Sequence, residues 1–420
     1  MISKEKFFKV SFIDELKLKA SYGENGNDQI GSYRYINYYD INNSNNQVSL
    51  VPNSLGNVDI SWEKAGKFNI GLDFALLKNR ITGSIEYYSN KTNNMLSWYP
   101  LPASFGYTGY YANVGNMVNK GIEVDIHANV ISTKNLDWNV YANLTTNHNE
   151  ITELAEARKT WQDNLQGKGY SSGSYFYMEG ESRYAYYTRR YAGVDAETGL
   201  SQWWKNVYEK DAAGKEIYYD TNWNVISDPD SYVGEKRRKK VGEEKTTTYS
   251  ESDDYIIGDM MPDVYGGFGT SLSWMGFDFS VDFQYQLGGN VYDSEYASLM
   301  GNTRGFGIHV DMLNSWTPEN TNTNVPRYQS QDTYSNGGSD RFITSASYLS
   351  LQNITLGYTL PKAWTSKIGV QKIRLYGVAD NVWLWSKRQG LDPRRSITGA
   401  SGAQYYSSIR TISGGISVTF

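Results

Sequence analysis

Hydrophobic and polar residues alternate along much of this chain. Between Phe277 and Leu287 one parity carries Phe277, Phe279, Val281, Phe283, Tyr285 and Leu287. The other carries Asp278, Ser280, Asp282, Gln284 and Gln286. Successive side chains of a strand point to opposite faces, so this segment predicts a strand with one apolar and one polar face. A helix would scatter both sets around its circumference. The same alternation returns at Leu16–Tyr22, Phe68–Leu76, Ile122–Val130, Leu136–Leu144 and Ile412–Phe420. With weaker matches, the pattern predicts about twelve strands of about ten residues each.

The connections alternate too. Leu77–Arg80, Ser132–Asn135, Glu179–Ser182 and Met275–Gly276 are short, whereas 23–65, 93–119, 149–167, 193–261, 289–345 and 386–405 are long and polar. Short turns on one side and long loops on the other are the layout of an outer-membrane barrel. A strand of about ten residues, rising ~3.3 Å each and tilted by ~40°, climbs about 25 Å, the height of such a barrel's apolar band. A soluble antiparallel sheet with one buried face would give the same alternation. Two features favour the membrane. The polar parity carries Glu123, Asp125, Asp278 and Asp282, which suits a watered lumen. Trp62, Trp98, Trp138, Trp274, Trp364, Trp383 and Trp385 crowd the expected strand ends, as interfacial girdles do.

Composition narrows the function. Lys+Arg number 40 against 45 Asp+Glu, a net charge of -5, which argues against a nucleic-acid binder. Cysteine is absent, which removes disulfides, thiolate metal sites and cysteine nucleophiles. No stretch approaches the ~18 apolar residues of a spanning helix. Residues 1–9 carry no apolar core of a signal peptide.

Candidate chemistry is sparse. Gly169–Gly173 spells G-x-S-x-G around Ser171, but aromatic strand residues follow it where a nucleophile elbow needs a helix. His127, His148 and His309 lie far apart, without ligand spacing, and His127 reads as a polar-face residue. Lys236–Lys240 is a basic run whose ordinary reading is a solvated loop tip; the other is contact with lipopolysaccharide phosphates. Asp253 and Asp254 read as solvated carboxylates, with calcium as the weaker reading. No catalytic residue, metal site or cofactor is assigned. The binding candidates are Trp161, Trp203, Trp204, Trp223 and Trp316, all in expected outer loops. An indole face can stack on a sugar ring or hold an apolar peptide side chain, although loop packing is the more ordinary reading of such residues.

Several segments resemble the SusC/RagA-like group of TonB-linked outer-membrane transporters. They are Leu16–Gly23 (LKLKASYG), Trp62–Lys64 with Asn69–Phe74 and Arg80–Tyr88, and Asn113–Met117 with Asn119–Glu123. Tyr191–Asp195 with Glu197–Gly199 follows, with Ala196 in place of the usual proline, and then Asn353–Pro361 (NITLGYTLP). The resemblance implies an all-β transmembrane antiparallel barrel, of which this chain supplies a C-terminal portion of about twelve strands. It implies a short leader at 1–13 and barrel from 14 to 420, with signal peptide and plug domain absent. It also implies import of an oligosaccharide or peptide across the outer membrane of a Bacteroidetes-type bacterium. The implied partners are a SusD-like surface lipoprotein, the TonB system acting through the plug, and outer-membrane lipid. The rival expectations are a passive porin-like barrel and a soluble glycan-binding β protein.

Overall fold

The computed structural model describes residues 1–44, 47–301, 307–329, 337–395 and 408–420. The expected loop 386–405 lies partly outside the described residues. After a short 3-10 turn at Ile2–Lys4, the chain enters a continuous antiparallel wall. Its strands are β1 (Ile13–Asn27), β2 (Glu63–Leu76), β3 (Ile81–Asn93), β4 (Gly115–Ser132) and β5 (Leu136–Thr146). They continue as β6 (Val264–Trp274), β7 (Phe277–Leu287), β8 (Tyr348–Thr359), β9 (Lys372–Ser386) and β10 (Thr411–Thr419). Spatial order follows chain order from β1 to β10, and His148–Leu154 pairs beside the start of β4.

The register explains why these residues form one wall. Leu18 pairs with Leu72 and Ile70 with Tyr87. Ile85 pairs with Val124, and Ile126 with Ala142. Phe268 sits between Ala142 and Phe283, and Val281 pairs with Ile354. Leu356 pairs with Gly377, and Leu375 with Ile416. A one-residue slip anywhere would turn apolar side chains to the polar face, so the alternation itself fixes the pairing. The apolar face is uncovered by protein: Leu18 is 54% exposed, Leu356 55% and Ile416 69%. Among the described residues, β1 and β10 each pair with a single wall neighbour.

One end of the wall carries short connections. Leu77, Lys78 and Asn79 all adopt left-handed backbone in the β2–β3 turn, and Asp14 accepts the Asn79 amide at 2.9 Å. Residues 133–135, 275–276 and 360–371 make the other turns there, the last containing the helical turn Lys362–Thr365. Trp274 stacks on Phe277, and Phe277 lies 4.5 Å from the Tyr358 ring, forming an aromatic band at this end. Trp364 there is 61% exposed. Trp62, Trp383 and Trp385 mark the opposite end, at 62%, 49% and 53% exposure. Trp98 departs from the expected girdle, because it lies in the outer strand Leu96–Pro100 and packs edge-on against Tyr111.

The long connections fold into a second layer. Tyr38–Ser44, Gln47–Ser54, Gly109–Asn113 and Leu96–Pro100 form one sheet; the segment between β5 and β6 forms two more. Two sequence expectations change here. The stretches 149–167 and 193–261 belong to one excursion, and the Glu179–Ser182 turn lies within it. The strands between them, such as Tyr175–Met178 and Tyr191–Val194, have four residues each. That is far short of the roughly nine residues needed to cross a membrane, so among the described residues the wall runs through ten strands in order, with His148–Leu154 paired beside them as an eleventh, where the pattern suggested about twelve. The tightest packing also lies in this layer, at Met95, Val114, Ile151, Leu154, Phe176 and Phe342.

Candidate functional site

Two surfaces carry polar or aromatic side chains in positions to meet a ligand. The first is the polar face of the wall. One row runs by register from His127 through Tyr141, Gly269, Asp282 and Asn353 to Asp380. His127 stacks on the Tyr141 ring at 5.8 Å, and its Nε2 lies 3.0 Å from Asp125. The Tyr141 hydroxyl passes over β6 and donates to Asp282 on β7. Gly269 permits that crossing, since a Cβ there would collide with the Tyr141 hydroxyl and with Asp282. Asn353 donates to Asp380 at 2.7 Å. Around the row, Lys19 Nζ bridges Asp73 and Glu86 at 2.9 Å each, and Arg374 pairs with Asp278. This face is a hydrated hydrogen-bonding surface, because its charged groups stay partly exposed.

The second surface lies in the outer layer, where the five sequence candidates part company. Trp161 and Trp223 come together edge to face at 5.6 Å. The Arg237 guanidinium lies 4.3 Å from the Trp161 ring centre and 5.7 Å from that of Trp223. Trp223 is 41% exposed, and Trp161 is fixed by its Nε1 donating to Asp163 at 2.8 Å. Trp203 and Trp204 are neighbours on Ser201–Tyr208 and therefore face opposite ways. Trp203 is 2% exposed and packs against Tyr249, so it is a core residue. Trp204 is half-buried beside Arg190 and Lys245. Trp316 packs over Gly199 and donates to the Ala196 carbonyl at 3.0 Å, holding the Tyr191–Gly199 turn.

The other sequence candidates resolve as structure. The run Lys236–Lys240 is not simply a solvated tip. Arg237 is buried and donates to Glu235 at 2.7 Å, whereas Arg238 binds Asp163 at 2.7 Å and Glu216 at 3.1 Å. Burial pulls the Arg238 pKa down, but those two carboxylates outweigh it and raise the net value. Ser171 sits in a hairpin and pairs with Phe176, so the G-x-S-x-G segment lacks the strand-to-helix turn of an elbow. Asp253 accepts the Asn206 amide at 2.7 Å, and Asp254 pairs with Arg189; neither is simply solvated. No group of three metal-binding side chains is found among the described residues. His309 accepts the Asp311 amide at 3.1 Å at the start of Val310–Asn314.

The sequence pointed to Arg237 only as one member of the basic run, and it did not pick out the outer tyrosines. Their partners are distant in sequence, and only the high tyrosine content, 36 residues, hinted at them.

An antiparallel wall with an uncovered apolar face, a polar opposite face and a folded outer layer defines a membrane β-barrel class. Residues 7–198 match the family model described as TonB dependent receptor-like, beta-barrel. The chain is 29% identical over its whole length to TonB-dependent receptor P3 of Formosa agariphila, covering 41% of that protein. It is 28% identical over its whole length to TonB-dependent receptor SusC of Bacteroides thetaiotaomicron, covering 39% of it. Among solved structures, the RagAB peptide importer in its closed-closed state superposes with a TM-score of 0.78 at 27% identity, over all of this chain and 42% of that one. The chain is therefore similar to the TonB-dependent receptor β-barrels, and its motifs resemble the SusC/RagA-like group. It spans about two fifths of the length of the curated relatives it matches.

Proposed function

We propose that this chain forms part of the wall and outer loops of an outer-membrane nutrient importer of the SusC-like kind. The observation that carries the reading is the apolar face registered across all ten strands and left uncovered by protein. Backbone polar groups in lipid need partners, which a closed sheet supplies, so the free edges of β1 and β10 are where further strands would pair. On this reading a plug and the TonB system energise transport, and a SusD-like surface lipoprotein meets the outer layer. The cargo is an oligosaccharide or a peptide. Trp223, with Trp161 behind it, is the most exposed of the five tryptophan candidates and the one placed to contact it.

Two measurements test this. Single Cys probes at 279, 281 and 283 should react with lipid-dissolved reagents, and probes at 280 and 282 with aqueous ones. The chain has no native Cys to confuse the result. Equal aqueous labelling at both parities would favour the soluble-sheet alternative and sink the membrane assignment. Deletion of the gene should remove TonB-dependent uptake of a defined oligosaccharide or peptide. Uptake that persists without TonB but needs this protein would favour a passive porin instead.

A further inference from the structure

The outer loops are joined in series. The 28–62 and 94–114 loops share a sheet through Ser54 and Gly109. The 147–263 and 288–347 loops meet at the Tyr191–Gly199 turn. There the Tyr191 amide donates to Asp340 at 2.7 Å, and the Arg327 amide donates to the Gly199 carbonyl at 2.9 Å. The 288–347 and 387–410 loops meet where Arg388 lies 3.4 Å over the Tyr296 ring and 3.2 Å from Asp293.

The joint between the 94–114 and 147–263 loops is built differently. Tyr110 lies 5.1 Å from Tyr99, whose ring centre is 3.6 Å from the Arg158 guanidinium. The same guanidinium lies 4.3 Å from the Tyr170 ring centre, and Tyr170 in turn stacks on Tyr177 at 4.9 Å, with the two rings nearly parallel. Five side chains thus form one ladder, with a single cation at its centre. Arg158 is 6% exposed. Its Nη2 donates to the Trp98 carbonyl at 3.1 Å, whereas its Nε has no partner among the described residues. Among those residues no carboxylate reaches it within ion-pairing distance. Burying a cation without a counter-charge is costly, and the faces of two tyrosines are its main compensation. At the same joint the Ala155 amide donates to the Val114 carbonyl at 2.9 Å, continuing the pairing of His148–Leu154 with the start of β4, and the Tyr99 hydroxyl donates to the Ala157 carbonyl at 2.9 Å. The ladder also reaches the aromatic cluster, because Gly167–Ser172, which carries Tyr170, is paired to the Trp161–Gln162 strand.

We propose that Arg158 is the keystone that makes the 94–114 and 147–263 loops order and open as one unit, so that contact at one hairpin is felt at the other. Each tyrosine gains its cation contact only while the other tyrosine helps hold the guanidinium in place. The coupling is therefore reciprocal. It also favours a planar cation, since guanidinium stacks on aromatic faces and an ammonium does not.

Hydrogen exchange of the purified whole protein in detergent, read by mass spectrometry, tests this. Tyr170→Leu should raise exchange about tenfold in 96–113, on the other hairpin, and Tyr99→Leu should do the same in 167–178. Arg158→Lys should loosen both hairpins, while the 264–287 peptides of the wall stay protected in every variant. Tyrosine variants that loosen only their own hairpin would overturn the proposal. So would Arg158→Lys leaving both hairpins at wild-type exchange. Because both tyrosine variants retain the cation, the test stands even if an alanine at 158 fails to fold.

Discussion

The wall and the outer layer are both antiparallel β structure cut from one chain, yet they place their apolar side chains oppositely. In the wall, Leu18, Ile412 and Ile416 are 54%, 79% and 69% exposed. In the outer layer, Ile151, Phe176 and Phe342 are 0% exposed. The same alternation thus meets two solvents. Where water surrounds the sheet, apolar faces must turn onto each other, since burial is the driving force. Where hydrocarbon surrounds it, the apolar face needs no protein cover, and satisfying the backbone becomes the governing demand.

The strongest way to break this comparison is to empty a packed site in the outer layer. Phe176 sits against Tyr187 at 4.8 Å. Phe176→Ala should cost the outer layer about 3–5 kcal/mol while leaving the wall inserted. Loop proteolysis should rise sharply, and heat-modifiable migration on gels should persist. Loss of insertion would mean the two layers fold as one.

A charge on the wall comes next. Val281 pairs with Thr270 and Ile354 on the apolar face. Val281→Arg should cost about 2–4 kcal/mol near the bilayer midplane, whereas Ser280→Arg, on the polar face, should assemble normally. Folding yield into vesicles measures both. Equal damage from the two substitutions would remove the distinction between the faces.

Within the wall, the polar face offers a smaller effect. Gly269→Ala should push the Tyr141 hydroxyl off Asp282, a loss of about 1 kcal/mol for one hydrogen bond. The obstructed atom is the end of a side chain that can swing away, so the strand pairing should survive. Folding yield into vesicles should fall slightly, and Tyr141→Ala, which removes the terminal ring carbon as well as the hydroxyl, should make Gly269→Ala nearly silent. Additive damage from the two changes would show that the glycine serves another contact.

How far the sequence could be read follows the same division. In the wall each residue's face is set by its neighbours along the strand, so Phe277–Leu287 was legible residue by residue and the structure places its strand at the same bounds. In the outer layer, position depends on partners distant in the chain. Arg238 finds Asp163, and Tyr191 finds Asp340, and no local pattern announces either. Trp203 and Trp204 show the limit well. Both are tryptophans in one expected loop, but strand parity buries one and leaves the other half-covered. The basic run misled in part for the same reason: Glu235 beside it matches Arg237, but Arg238 is matched by Asp163 and Glu216 brought from elsewhere.

The smallest expected effect is a pH dependence confined to the outer layer. The Glu179 carboxylate accepts the Leu154 amide at 2.9 Å and lies 3.1 Å from Lys159. These contacts hold its pKa below the ordinary 4.5, the backbone bond most strongly, against the opposing pull of burial. Its contribution is therefore complete above about pH 4.5 and is lost as pH falls through the lower folded value. Glu181 and Asp259, nearby, behave oppositely. Burial raises both above their ordinary 4.5 and 3.8, so the folded layer binds their protons more tightly than the unfolded chain does. Their contribution falls as pH rises through those ordinary values toward the raised ones. The outer layer should accordingly show an acid limb that Glu179 shares with Asp195, Glu209, Asp220, Asp228 and Glu243, which are also held low, and an alkaline limb from Glu181, Asp259 and the buried Asp340. Glu179→Gln should make the acid limb shallower and leave the alkaline one unchanged. The effect should be modest, since the Glu179 side chain is 43% exposed and solvent screens its ion pair. Loop proteolysis with a protease active across pH 3 to 7 would trace both limbs. A Glu179→Gln profile parallel to wild type at every pH would show that the carboxylate's charge does not hold this layer.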